Sequence, residues 1–173
     1  MAVEATTSGT QARRMAAAGK YLTFMLCGES YGVEILKVQE IIGMMNVTRV
    51  PRTPAFVRGV INLRGKVIPV VDLRLKFDME AKEDTERTCI IVVQVVCGDD
   101  RITMGAIVDE VSEVMDLSAA QIEEPPSFGA SVNTDFIMGV GKVDRRVVML
   151  LDVDRVLSHG EISAVNSVAA ESA

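Results

Sequence analysis

At 173 residues, with 49% hydrophobic and 24% charged side chains, the chain has the balance of a globular protein of one domain or two small ones. A formal charge of −6 argues against nucleic acid and anionic membrane surfaces as partners, because both are held by concentrated Lys and Arg; protein partners fit better. With 4% aromatic residues, no Trp and ten Met, the core must be aliphatic and soft.

In chain order, residues 1–19 read as a flexible tail. Arg13-Arg14 followed by small residues imitates an export signal, but Lys20 interrupts the apolar run and 21-YLTFML-26 reads as the first strand, which points to a cytoplasmic protein. No apolar run reaches the roughly 18 to 20 residues that a bilayer-spanning helix needs, so no membrane insertion is expected. Cys27, Cys89 and Cys97 are odd in number, lack C-x-x-C spacing and sit in apolar runs, which predicts buried thiols rather than a disulfide framework.

The runs 66-KVIPVVDL-73, 88-TCIIVVQVV-96 and 146-RVVMLLDV-153 are short, β-branched and bounded by Gly, Asp or Pro, so strands dominate. The chain also repeats itself. At an offset of 73, 31-YGVEILKVQEII-42 lies over 104-MGAIVDEVSEVM-115, matching Gly32 with Gly105, Val38 with Val111 and Glu40 with Glu113. At an offset of 80, Phe56 falls on Phe136, Gly59 on Gly139 and Asp72 on Asp152, which places seven extra residues in the second copy between Met115 and Phe136.

Those residues belong to 116–135, which has loop composition; Ser118 with Gln121 can cap one helical turn before Pro125 and Pro126 stop it. Thr53 and Pro54 offer an N-cap and a first helical position in the first copy. Asp72 and Asp152 are expected to cap short helices over LRLKF and VDRVL. A repeat of about 70 residues is too long for a solenoid unit and suits a small barrel. The expected architecture is therefore two related small β-barrels side by side, over residues 20–83 and 84–158, with a second tail at 159–173 and terminal strands free to exchange between barrels. A groove between them is a natural place for a partner.

Little in the sequence supports chemistry. His159, the sole histidine, lies in the polar tail and reads as incidental rather than as a catalytic, metal-ligating or phosphoacceptor residue. No phosphate-binding glycine loop is present, and the adjacent pairs Asp109-Glu110 and Glu123-Glu124 read as solvated faces, so neither enzyme nor cofactor is indicated. The stretch 62-NLRG-65 reads as a type I turn with Asn62 accepting at the first position and Gly65 at the last, which leaves Leu63 and Arg64 unexplained at a loop tip. The second copy has 142-KVDR-145 there, so the barrel does not need Asn or Gly to close. Arg64 is either a contact residue or an ordinary surface arginine. Glu40, twinned with Glu113, is either a binding carboxylate or a solvent-facing strand position between buried Val38 and Ile42.

Taken in order, 31-YGVEILKVQEI-41, 50-VPRTPAFVRGVINLRGKVIPVVDLR-74, 105-GAIVDEVSEV-114 and 136-FIMGVGKVDRRVVMLLDVDRVL-157 closely resemble the CheW-type chemotaxis coupling proteins, a resemblance running from about residue 20 to 158. It implies an all-β fold of two five-stranded SH3-like barrels related by internal duplication, with short helical turns. It also implies a non-enzymatic, cofactor-free adaptor that couples the cytoplasmic tips of methyl-accepting chemoreceptors to the histidine kinase CheA; a regulatory double barrel with a different protein partner is the alternative. Carried over by position, the receptor-facing residues would be Ile35, Val38, Glu40, Ile41, Gly59, Leu63, Arg64 and Gly65, with Val108 from the second barrel. The kinase contact would use exposed barrel ends, for which the resemblance offers Met44, Val47, Gly139 and Gly141.

Overall fold

The apolar run YLTFML lies in β1 (Gly19–Leu26), which forms a hairpin with β2 (Glu29–Glu34), turned by Cys27 and Gly28 at φ 50° and 85°. Positive φ at both central residues gives the turn the twist that a tight hairpin needs. The structure is a computed structural model and describes residues 16–77, 79, 83–97, 99–125, 136–157 and 161. After β2 and a 3-10 turn at Ile35–Lys37 come β3 (Val38–Gly43), β4 (Val57–Leu63), β5 (Lys66–Asp72) and the helical turn α1 (Leu73–Lys76). The second copy supplies β6 (Cys89–Cys97), β7 (Asp100–Val108), β8 (Glu110–Leu117), the short β9 (Ile122–Glu123), β10 (Ile137–Val143), β11 (Arg146–Leu151) and α2 (Val153–Val156).

One sheet runs β8-β1-β2-β11-β10-β9 and the other β3-β6-β7-β5-β4. Apart from β9, whose counterpart in the first copy is the isolated Thr48–Val60 bridge, replacing each strand by its twin in the other copy converts the order of one sheet into that of the other. Leaving out the two-residue β9, each sheet takes its first two strands from one copy and three from the other, so a division after residue 83 separates the sequence copies but not the sheets. The parallel ladders that carry the exchange obey both repeat offsets: Val70 pairs with Gly105, and Leu150 pairs with Gly32. Both glycines are set by crowding, since a Cβ on Gly105 would lie 2.6 Å from Ile90 and one on Gly32 3.1 Å from Leu150. The fold is thus the expected all-β pair of SH3-like barrels with short helical turns.

Three apolar clusters follow from this arrangement. Ile61, Ile68, Val70, Ile90, Val92 and Ile107 fill one barrel, and Tyr21, Met115, Leu117, Met138, Val148 and Leu150 fill the other. A larger cluster including Phe24, Val33, Leu73, Ile91, Val93, Val108 and Leu151 lies between the sheets. Each fully buried Val, Ile or Leu contributes about 1.5 to 3 kcal/mol, so this shared cluster is what binds the barrels into one body. The stacked rings Phe24, Tyr31, Phe77 and Phe136, with centroids 6.1, 6.2 and 4.8 Å apart in succession, extend it.

Local signals met their expected partners unevenly. The Asp72 carboxylate accepts from the Arg74 N–H at 3.0 Å and Asp152 from the Asp154 N–H at 3.1 Å, capping α1 and α2. The Ser118 N–H donates to Gln121 Oε1 at 2.9 Å over a 3-10 turn, Ala119–Gln121. Thr53 does not cap a helix: its hydroxyl donates to the Val50 carbonyl at 2.9 Å, and a single turn closes from the Val57 N–H to the Pro54 carbonyl at 3.0 Å. The 62–65 stretch is not a type I turn either. β4 and β5 are joined by two residues, Arg64 and Gly65, at φ 52° and 85°. The tail ends earlier than expected, because Ala16 donates to the Met138 carbonyl at 3.2 Å. Cys27 and Cys89 are half-buried rather than buried, and His159 lies outside the described residues.

Candidate docking seam

β3 and β4 are the opposite edges of their sheet, and a seam lies between them. The hairpin tip at Arg64 hangs over it. The positive φ of Arg64 is imposed by the two-residue turn, and the Gly65 N–H donates to Asn62 Oδ1 at 2.8 Å, fixing the tip. From there the guanidinium donates to both oxygens of Glu40 on β3, Nη1 to Oε2 at 2.6 Å and Nη2 to Oε1 at 2.5 Å. This two-pronged hydrogen bond holds the Glu40 carboxyl below the usual carboxylate range and raises Arg64 above its ordinary value. The arginine is 70% exposed and the glutamate 27%, so the pair is a rim feature.

Glu40 is not simply solvent-facing. Strand alternation places Val38, Glu40 and Ile42 on the partly covered side of β3 and Gln39 and Ile41 outside, while the ladder to β6 shifts register between Val38 and Glu40. Ile41 is 43% exposed beside the ion pair. Ile35 and Val38 are half-buried against the inter-sheet cluster, and Leu63 closes the open end of the barrel core with Ile42, Met44 and Val47. The adjoining 3-10 turn projects Leu36, which is 94% exposed; sequence reading missed it because its apolar neighbours mask one outward position in a run. Ile35, Val38, Glu40, Ile41, Leu63, Arg64 and Gly65 thus line or border one seam.

Two of the expected receptor-facing residues do not, and two of those expected at the kinase contact are buried. Val108 is 0% exposed in the inter-sheet cluster and supports the seam from behind. Gly59 is buried at φ 141°, and a Cβ there would collide with the Thr48 carbonyl, so its missing side chain admits the protein's own segment rather than a partner helix. Gly139 and Gly141 are buried as well: a Cβ on the first would sit 3.0 Å from Ala16, and on the second 2.9 Å from Leu117. Gly65 alone of these glycines has open space around it.

The second barrel repeats the device in altered form. Glu113, twin of Glu40, meets Arg146 at 3.5 Å on the corresponding hairpin, and Lys142 meets Glu123 at 2.5 Å. A carboxylate on the third strand of each copy therefore finds a cation from the hairpin across the seam.

The most buried charges lie elsewhere and are mutually satisfied. Arg74, 1% exposed, contacts Asp72 through Nε at 3.0 Å, Asp109 through Nη1 at 3.1 Å and Asp84 through Nη2 at 3.2 Å. Arg58 joins Asp72 and Asp84, each at 3.0 Å. Hydrogen bonding to Asp72 pushes Arg74 above its ordinary value; burial alone would raise Asp84, but the two guanidiniums outweigh it and hold that carboxyl low. These groups pin α1, β4 and the turn after β7 together. The space between the sheets holds an apolar cavity of about 20 Å³ lined by residues such as Phe24, Val33, Ile91 and Met104. Among the described residues no three His, Cys, Asp or Glu side chains are grouped so as to hold a metal ion, and no helix is long and apolar enough to cross a membrane.

Paired barrels that expose an ion-paired seam beside apolar side chains define a protein-binding scaffold. The chain belongs to the CheW-like family, matching the CheW-like domain over residues 20–161. It is 40% identical over 150 residues to chemotaxis protein CheW of Klebsiella aerogenes, covering 87% of this chain and 88% of that one. It is 36% identical over 143 residues to chemotaxis protein CheW of Rhizobium meliloti, covering 83% and 90%. The crystal structure of the scaffolding protein TtCheW from Thermoanaerobacter tengcongensis superposes with a TM-score of 0.74 at 33% identity, over 83% of this chain and 95% of that one. The family consists of non-catalytic scaffolding proteins of chemotaxis.

Proposed function

We propose that the chain is a cytoplasmic chemotaxis adaptor that couples the cytoplasmic tips of methyl-accepting chemoreceptors to the histidine kinase CheA. The observation that carries this reading is the Arg64–Glu40 pair spanning the seam with Ile41 and Leu36 exposed alongside. A receptor hairpin tip offers an apolar helical stripe flanked by charges, and a seam with apolar walls and a charged rim is its complement. Rim charges of this kind set register and partner choice more than raw affinity. The receptor contact on this reading uses Ile35, Val38, Glu40, Ile41, Leu63, Arg64 and Gly65, and the kinase contact uses the barrel end at Met44 and Val47.

The test is a pull-down with a receptor cytoplasmic fragment, with and without the kinase, comparing wild type with Ile41→Asp. Retention of both partners by wild type and loss of receptor alone in the variant supports the reading. A wild-type chain that retains neither partner removes it and leaves a double barrel with a different protein partner.

A further inference from the structure

Residues 41–71 contain Arg49, Arg52, Arg58, Arg64 and Lys66 and not one acidic residue, a local charge of +5 in a chain of −6. The rest of the chain therefore carries −11. The fold does not require this concentration, since the equivalent stretch of the second copy, 121–151, has four acidic residues against three basic ones. Arg58 and Arg64 are neutralised by Asp72, Asp84 and Glu40. Arg49, Arg52 and Lys66 are exposed, and among the described residues their side chains enter no ion pair or hydrogen bond.

Topology gathers these three cations about β4, Arg49 and Arg52 on the segment along its outer side and Lys66 on β5 along its inner side. Thr48 bridges Val60, so the segment holding Arg49 runs antiparallel beside β4. Arg52, at φ 63°, turns the chain back toward the start of β4, and Lys66 faces Leu63 at its far end. The strand they flank is roughly 20 Å long at about 3.3 Å per residue. Met45, 38% exposed, and exposed Pro51 give this surface apolar footholds.

We propose that this basic surface around β4, which meets the Glu40–Arg64 seam at the hairpin tip, is a docking surface for a short acidic segment of a partner protein. The patch is too small for a polyanion: a bilayer or nucleic acid extends past it by more than the ~10 Å over which salt screens charge, into a surface of opposite net sign. A partner segment of about six extended residues meets the cations alone. The surface stands on charge placement in this chain and does not depend on the adaptor reading.

Fluorescence anisotropy tests it with a labelled Glu-Glu-Leu repeat peptide as probe. The full chain is compared with Arg49→Glu/Arg52→Glu/Lys66→Glu and with the control Arg87→Glu/Arg101→Glu/Arg145→Glu, which makes the same charge change at exposed positions elsewhere. Circular dichroism establishes that each variant is folded. The expected result is at least about tenfold weaker binding in the first variant, little change in the control, and capture of a Lys-Lys-Leu repeat peptide by the first variant only. Equal losses in both variants, no binding by wild type, or wild-type binding to phosphatidylserine vesicles but not to the peptide would each overturn the proposal.

Discussion

The Arg64 guanidinium clasps both oxygens of Glu40 across the gap between the two edge strands of one barrel, at 2.6 and 2.5 Å. Since the arginine is 70% exposed, water competes for both partners, and the pair adds little to folding. Arg64→Ala is expected to leave the thermal midpoint within about 2 °C of wild type while weakening capture of a receptor fragment about tenfold. A midpoint shift with unchanged capture would make the pair a structural clasp.

Acid should open the same clasp. Glu40 has a folded pKa below its unfolded value of about 4.3, so its contribution is present above that value and lost as pH falls through the folded one. Capture by wild type and by Arg64→Ala, measured down a pH series, should differ at pH 5 to 7 and converge in stronger acid. Asp84 follows the same sign through Arg58 and Arg74. Asp84→Asn should cost roughly 1 kcal/mol at neutral pH and flatten the stability curve between about pH 5 and 2 in urea titrations.

Burial reverses the balance at Arg74, whose side chain is 1% exposed against Asp72 at 4%. Truncation leaves Asp72 buried without its main partner. Arg74→Met is therefore expected to cost about 3 to 5 kcal/mol in urea unfolding, whereas Arg74→Met with Asp72→Asn should recover part of it. Additive losses would show that the two side chains act independently.

Much of this architecture was legible because it is local. Short β-branched runs bounded by Gly, Asp or Pro marked the strands, and an aspartate before LRLKF and before VDRVL marked both caps. The repeat offsets were correct to the residue, as the Gly32 and Gly105 ladders show. Strand exchange was not fixed by such signals, because alternation tells which face of a strand is covered and not which strand lies beside it. The same limit explains the glycines. A sequence marks Gly59 as needing space but cannot say that Thr48, rather than a partner, takes it. Two-residue connection at Arg64-Gly65 also depended on where β4 ended, one residue later than a type I turn from Asn62 allows.

Glycine substitutions separate these cases. Gly59→Ala meets both a positive φ of 141° and the Thr48 carbonyl, so backbone must move; a loss of at least about 2 kcal/mol is expected. Gly65→Ala has open space and only the strain of φ 85°, for about 1 kcal/mol, and Gly65→Asn should cost less because Asn tolerates that region. Equal costs at the two sites in urea unfolding would mean that Thr48 yields readily.

Leu36 and Val108 sort contact from support. Leu36 is 94% exposed on the 3-10 turn leading into β3, so Leu36→Asp removes apolar surface from the seam without opening the core. Its stability should stay within about 0.5 kcal/mol of wild type while receptor capture falls. Val108, 0% exposed, offers nothing for a partner to touch. Val108→Ala is expected to lose about 2 kcal/mol through the cavity it leaves, with capture unchanged when measured well below the unfolding transition. If Val108→Ala weakened capture while Leu36→Asp did not, partner binding would be governed by how the two sheets pack, and the exposed seam would lose its role.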